Sequence, residues 1–138
     1  MGWLHELLQR VLPGAGRKSA SFRLELDAKP AITVGHLTYD DGVWSFFYDD
    51  AFKQHKDLRP LDGFPDIDRV YRSQLLFPFF AVRIPDRGRA DVEARLAKEA
   101  IAEPDAVDLL RIFGRRIVSS PGLLLLADDH DSRAVLAR

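Results

Sequence analysis

The stretch that decides the fold reads AITVGHLTYDDGVWSFFY and covers residues 31–48. Both of its ends are rich in β-branched and aromatic residues, which are typical of strands. Between them lies Asp40-Asp41-Gly42, where glycine permits the positive φ that a tight turn needs. The stretch therefore predicts a β-hairpin, with strands from Ala31 to Tyr39 and from Val43 to Tyr48.

The returning strand of this hairpin carries aromatic side chains on both faces. Trp44, Phe46 and Tyr48 share one face because side chains alternate along a strand, and we expect that face to meet the core. Phe47 then lies on the opposite face. An exposed ring of this size predicts an interface, unless the N-terminal segment of the same chain covers it.

The rest of the chain predicts a mixture of strands and helices around this hairpin. Residues 22–27 alternate apolar and charged side chains, as a half-buried strand does. Residues 51–68 are mostly loop, and a helix begins near Phe77 with Pro78 in its first turn. The other predicted elements are a helix from Ala90 to Ala102, a helix from Asp105 to Phe113 closed by Gly114, and two short strands at Ile117-Val118 and Leu123–Leu126. We therefore expect an α+β fold: a small antiparallel β-sheet with packed helices and an extra N-terminal helix.

The first 16 residues predict this amphipathic N-terminal helix, from Trp3 to Leu12, and a linker. Such a helix is too short to be stable alone in water, so it must pack on its own domain, a second copy, a different partner or a membrane surface. The main domain is expected over residues 17–127, followed by an acidic tail over residues 128–138. The apolar positions of the helix recur at helical spacing: Trp3, Leu4, Leu7, Leu8 and Val11.

Length and composition fit one folded domain. The chain has 138 residues, of which 46% are hydrophobic and 30% charged, and its formal net charge is −1. So small a net charge does not favour nucleic-acid binding, and we expect no direct contact with nucleic acid or membrane. The absence of cysteine excludes disulfides and thiolate metal sites. Without a signal-peptide pattern or a long apolar run, a cytoplasmic protein is expected.

The sequence motifs predict no catalytic centre, metal site or bound cofactor. Residues 14–19 read GAGRKS, which lacks the glycine that precedes the lysine of a phosphate loop. The four histidines lack the spacing that places two imidazoles on one helix face. Ser119-Ser120 precedes Pro-Gly, which is a common use of serine in turns. We therefore expect a binding protein rather than an enzyme.

Between residues 69 and 89 the sequence has five arginines and one acidic residue, Asp86, and Arg115-Arg116 adds two more arginines. Arginine is favoured at protein interfaces because its planar guanidinium pairs with carboxylates and stacks on aromatic rings. A solvated, locally basic surface is the other interpretation. Together with Phe47, the candidate partner contacts are Arg83, Arg87, Arg89, Arg115 and Arg116.

The order of several short motifs resembles the N-terminal subdomain of HipA-type toxin kinases. The resemblance extends from Val34 to Leu126, and it departs from the family pattern at residues 60–65 and 114–122. The motifs that carry it are Val34-Gly35-His36-Leu37, the run from Asp41 to Asp49, Pro60-Leu61, Pro78-Phe79-Phe80, Ile84-Pro85-Asp86 with Arg89, and the run from Asp108 to Gly114.

In those kinases a catalytic core follows this subdomain, whereas we expect none to follow here. The resemblance therefore implies a HipS-like antitoxin that docks on, and regulates, a separately encoded HipA-like serine/threonine kinase lacking this subdomain. It also implies a helix-turn-helix DNA-binding protein in the same complex. The alternative is a self-associating structural domain, in which the N-terminal helix forms a homodimer or meets a different partner.

Overall fold

The computed structural model describes residues 18–128, so the predicted N-terminal helix and all but the first residue of the predicted acidic tail lie outside it. The strands of the described part are β1 (Ser19–Leu26), β2 (Ile32–Asp40), β3 (Val43–Tyr48), β4 (Tyr71–Ser73) and β5 (Leu123–Ala127). Its helices are α1 (Asp50–Lys53), α2 (Pro78–Ala81), α3 (Ala90–Lys98) and α4 (Ala106–Phe113). The strands form one antiparallel sheet in the order β4-β3-β2-β1-β5, so the fold is α+β, as predicted.

The predicted hairpin is confirmed. β2 and β3 pair with Leu37 opposite Phe46. At the turn, Asp41 and Gly42 have φ values of 50° and 88°, which is the conformation of a tight two-residue hairpin loop. The three aromatic side chains predicted to face the core from β3 are all buried.

The main core lies on one face of the sheet and is built from aromatic rings. The ring centroid of Phe46 lies 4.5 Å from that of Phe64 and 5.5 Å from that of Phe80. The Tyr48 hydroxyl donates a hydrogen bond to the Phe64 carbonyl at 2.6 Å and accepts one from the Leu61 amide at 2.8 Å. A buried tyrosine needs such partners. Here they fix the connection after α1, which forms neither helix nor strand.

Helix α3 ends earlier than the sequence predicts. Its last residue is Lys98, not Ala102. Ala100 adopts a positive φ of 59°, and the Ile101 amide donates back to the Leu96 carbonyl at 3.0 Å. These are the features of a helix terminated by a left-handed residue. Left-handed backbone is less favourable for alanine than for glycine. Because Ala100 takes the place of the usual glycine, the sequence lacks the common signal for the end of a helix.

Helix α4 matches its prediction at both ends. The Asp105 carboxylate accepts a hydrogen bond from the Asp108 amide, and the Asp108 carboxylate accepts one from the Asp105 amide. This reciprocal cap satisfies two amides that the helix itself leaves unpaired. Lys18 Nζ bridges the two carboxylates at 2.8 and 3.0 Å. Burial is the largest single effect on the pKa of Lys18 and lowers it, but the hydrogen bonds and negative charges of Asp105 and Asp108 together raise that pKa.

Only one of the two predicted C-terminal strands forms. β5 pairs with β1, with Leu24 opposite Leu125. The prediction of a strand at Ile117-Val118 is wrong, because these residues lie in the loop between α4 and β5. The Leu125 amide, on the outer edge of β5, donates to the Arg115 carbonyl at 2.8 Å, so the start of this loop runs along the strand edge without extending the sheet. None of the helices within residues 18–128 is long and apolar enough to cross a membrane.

The packing predicts that Gly35 is required in β2. A Cβ at Gly35 would lie 2.6 Å from Phe46 Cζ and 2.7 Å from the Phe47 carbonyl oxygen. Gly35→Ala should lower the free energy of unfolding by about 1–3 kcal/mol because it overpacks the core. Gly122→Ala is the matched control, since its Cβ would have no heavy atom within 4 Å. Urea unfolding followed by tryptophan fluorescence measures both, and equal stabilities would contradict the packing described.

Candidate functional site

Arg83 lies inside the domain and not on its surface. The residue is only 4% exposed. Its Nη1 donates to the carbonyls of Gly114 at 2.9 Å and Arg115 at 3.3 Å, and its Nη2 donates to the carbonyl of Leu123 at 3.2 Å. Burial lowers the pKa of Arg83, but a guanidinium remains charged in proteins. Its location corrects the sequence prediction: Arg83 has a structural role and does not offer its guanidinium to a partner.

The bonds of Arg83 fix the loop that joins α4 to β5. Gly114 is the C-cap of α4, and Leu123 is the first residue of β5. One side chain therefore holds both ends of the loop, residues 114–122, against the segment that follows α2. Hydrogen bonds from a charged donor are stronger than neutral ones, so this is a firm attachment. The loop presents Ile117 and Val118 next to Val82.

The side chains held in this way form an apolar surface, which we call the Val118 surface and define as Phe79, Val82, Ile117 and Val118. Val82 is 65% exposed and Val118 is 94% exposed. On one side of Val82 and Ile117 lies a cleft of about 490 Å³, walled by Phe77, Phe79 and the Ser119-Ser120 turn. On their other side lies a recess of about 290 Å³, which Val118 borders. Large exposed apolar groups around concave features mark interaction sites.

Two of the predicted arginine contacts lie at the rim of this surface. Arg89 and Arg116 both line the recess beside Val118. Arg89 Nη2 lies 2.6 Å from Asp91 Oδ2, and Arg116 Nη1 donates to the Pro121 carbonyl at 2.8 Å. The Arg89–Asp91 pair is well exposed. Exposed ion pairs contribute less than about 1 kcal/mol, so a carboxylate of a partner can compete for the guanidinium.

The other two surface arginines differ in their surroundings. Arg115 is exposed at the start of the loop. Its side chain makes no hydrogen bond or ion pair with any residue in the described part of the chain. Arg87 is exposed and pairs with Glu93, with Nε 2.8 Å from Oε2. Arg115 is therefore available to a partner at once, whereas Arg87 must first leave Glu93.

Phe47 lies on a different surface of the domain from these arginines. It is 37% exposed, which confirms the prediction that it faces away from the core. Its ring stacks on His36, with 5.2 Å between centroids. On the other face of the sheet, Phe52 of α1, Phe80 of α2, and Val107 and Leu110 of α4 join the main core. The predicted contact residues thus divide into two separate surfaces.

Within residues 18–128, the pair His36–Asp49 is the arrangement nearest to catalytic chemistry. Asp49 Oδ1 lies 2.7 Å from His36 Nε2, and Asp49 Oδ2 accepts from the Ala51 amide at 2.9 Å as the N-cap of α1. The hydrogen bond from His36 lowers the pKa of Asp49. Among residues 18–128, His36 bonds to no hydroxyl group. Nor do any three histidine or carboxylate side chains there cluster closely enough to hold a metal ion.

The remaining predicted contacts are those of the N-terminal helix, and they lie outside the described residues: Trp3, Leu4, Leu7, Leu8 and Val11.

The sequence reasoning missed the Val118 surface. Its signal was a two-residue apolar pair, Ile117-Val118, between Arg115-Arg116 and the Ser119–Gly122 turn. A pair this short cannot cross a sheet, because strands rarely have fewer than three residues. An apolar pair in a polar loop is better interpreted as a contact.

Comparison with known proteins identifies the family. A family model described as HipA N-terminal domain matches residues 28–120 of the 138-residue chain. The chain belongs to the HipA N-terminal domain family. The match confirms the resemblance seen in the sequence motifs. No curated protein and no solved structure matches the chain.

The region matched to the HipA N-terminal domain begins just before β2 and ends within the loop between α4 and β5. It therefore contains Arg83 and all four residues of the Val118 surface. It leaves out β1 and β5, which complete the sheet on one side. The candidate site is thus part of the HipA N-terminal domain and not an addition to it.

The three carbonyl contacts predict that Arg83 is needed for stability. Arg83→Met keeps much of the side-chain length but leaves buried carbonyls without a donor, which should lower the free energy of unfolding by about 1–3 kcal/mol. Arg87→Met, which removes only an exposed ion pair, should cost less than about 1 kcal/mol. Urea unfolding compares the two variants. If Arg83→Met has the same free energy of unfolding as the unsubstituted chain, the guanidinium does not hold the loop.

Proposed function

We propose that this chain is a non-catalytic binding module that docks on a separately encoded HipA-like serine/threonine kinase lacking this subdomain. Docking regulates the kinase, and the chain acts as the antitoxin of a toxin–antitoxin system. Membership of the HipA N-terminal domain family supports a HipA-related role. The observation that carries the proposal of docking is the Val118 surface, an apolar group with arginines at its rim.

The composition of this surface fits a protein partner. Burying one valine side chain contributes about 1.5–3 kcal/mol, so Val82 and Val118 offer substantial binding energy that the described part of the chain does not use. Protein interfaces typically have an apolar centre and a polar rim in which arginine is enriched. The partner surface that fits is therefore an apolar pocket flanked by carboxylates. Arg89, Arg115 and Arg116 would pair with those carboxylates and set the orientation.

The loop is held in place before the partner arrives. Because Arg83 fixes both ends of residues 114–122, little conformational entropy is lost there when Val118 is buried. Such a surface can act sterically, by occupying a position on the kinase that a fused subdomain would occupy. This mode of regulation needs no catalytic group.

A third component completes the proposed complex. A helix-turn-helix protein would bind the operator DNA, while this chain, with its formal net charge of −1, would contact only protein. Self-association is the alternative, because a second copy could also bury the Val118 surface.

The proposal predicts that Val118 is a major contact. Val118→Asp places a charge at the centre of the proposed interface and should weaken binding to a HipA-like kinase that lacks this subdomain by about tenfold or more, which is ~1.4 kcal/mol. Leu75→Asp is the matched control, since Leu75 is 79% exposed but lines neither the cleft nor the recess. It should leave the Kd nearly unchanged. Isothermal titration calorimetry with both purified proteins measures these Kd values.

Two results would contradict the proposal. Wild-type chain that neither binds this kinase nor changes its autophosphorylation would rule out the kinase as partner. Light scattering that finds a dimer for the unsubstituted chain and a monomer for Val118→Asp would assign the Val118 surface to self-association instead.

A further inference from the structure

The face of the sheet opposite α2 and α4 carries a row of four cross-strand neighbours. Phe47 of β3 lies opposite His36 of β2, His36 lies opposite Arg23 of β1, and Arg23 lies opposite Leu126 of β5. We call these four residues the open row. Each of them keeps some solvent exposure in the described part of the chain.

The charged centre of the open row is already paired. Arg23 bonds to Glu25 on its own strand and approaches Asp128 Oδ1 at 3.5 Å. His36 bonds to Asp49 at 2.7 Å. The two ends of the row, Phe47 and Leu126, are apolar. Lys53 and Asp68 border a recess beside Phe47 and pair with each other at 3.6 Å. A segment that covers this face therefore needs apolar side chains at both ends. It needs no charged side chain opposite Arg23 and His36, because both already pair with carboxylates.

The N-terminal segment has the length and pattern of such an occupant. The open row crosses three inter-strand spacings of ~4.8 Å, or ~14 Å. The predicted helix from Trp3 to Leu12 makes nine steps of ~1.5 Å, which is also ~14 Å. Its apolar residues share one side. We infer that residues 3–12 of this chain lie across the open row and cover Phe47 and Leu126.

The connection to the sheet is long enough for this placement. β1 begins at Ser19, and Arg23 lies four residues along it, at ~13 Å. The six residues 13–18 span up to ~20 Å when extended. A tether this short gives an effective concentration in the millimolar range, which exceeds the concentration of a second copy in solution. The chain's own segment is therefore favoured over the segment of another molecule.

This placement gives Phe47 an intramolecular partner in place of the kinase contact that the sequence predicts. It is independent of the proposed function, because the Val118 surface lies on a different part of the domain. The N-terminal helix would complete the fold as a third layer, with the sheet between it and α4.

A single introduced thiol tests the placement in the full-length chain. The chain has no cysteine, so Thr38→Cys adds a unique thiol. Thr38 shares the face of the open row and pairs with Ser21 and Ser45. Its rate of reaction with a thiol reagent should rise about tenfold or more when Leu4→Asp and Leu8→Asp are introduced together, a change equivalent to ~1.4 kcal/mol of docking free energy.

Two controls separate docking from unfolding. A thiol at the exposed Leu75 position should react at the same rate with and without the segment substitutions. Gln9→Asp, on the polar side of the predicted helix, should leave the thiol at position 38 protected. Reaction of that thiol at one rate in all segment variants would overturn the inference. Protection that increases with protein concentration would also overturn it, because the occupant would then be a second copy.

Discussion

The buried charge of Arg83 is the constraint on which the candidate site depends. A guanidinium inside a protein must be surrounded by acceptors, since an unpaired buried charge costs several kcal/mol. Here the described acceptors are backbone carbonyls and not a carboxylate, and they come from the end of α4 and the start of β5. The Nε atom of Arg83 has no hydrogen-bond partner within residues 18–128, so the terminal nitrogens carry the attachment. The loop between those carbonyls is fixed, and the loop places Val118 beside Val82.

The molecule has two surfaces with different chemistry. On the helix side, the Val118 surface combines exposed valines with arginines that are, in the described part of the chain, unpaired or only weakly paired. On the other side of the sheet, the charges of the open row are paired with neighbouring carboxylates, and its apolar ends remain partly exposed. The first composition fits a separate protein with carboxylates around an apolar pocket. The second fits a short amphipathic segment of the same chain. Substitutions on one surface should therefore leave the other intact.

The sequence predicted the elements that depend on neighbouring residues, namely the hairpin and helix α4. The hairpin follows from alternation and from a turn whose positive φ values fall on Asp41 and Gly42, and α4 follows from its cap at Asp105. Arg83 was misplaced because its acceptors lie 31 to 40 residues away along the chain, a distance over which periodicity carries no information. The strand expected at Ile117-Val118 was wrong for a similar reason. Whether a short apolar pair joins a sheet depends on the strand edge next to it, and periodicity does not show which edge that is. The apolar pair alone indicates a contact, but its position beside Val82 could not be predicted without knowing which carbonyls Arg83 binds.

We propose that the loop held by Arg83 is the part of this chain that contacts the kinase. The most direct test is hydrogen–deuterium exchange of the full-length chain, alone and saturated with the HipA-like kinase. We expect slower exchange in residues 79–83 and 115–120 on binding, with no change along β3. Slower exchange confined to β3, with residues 115–120 exchanging as in the free chain, would contradict it.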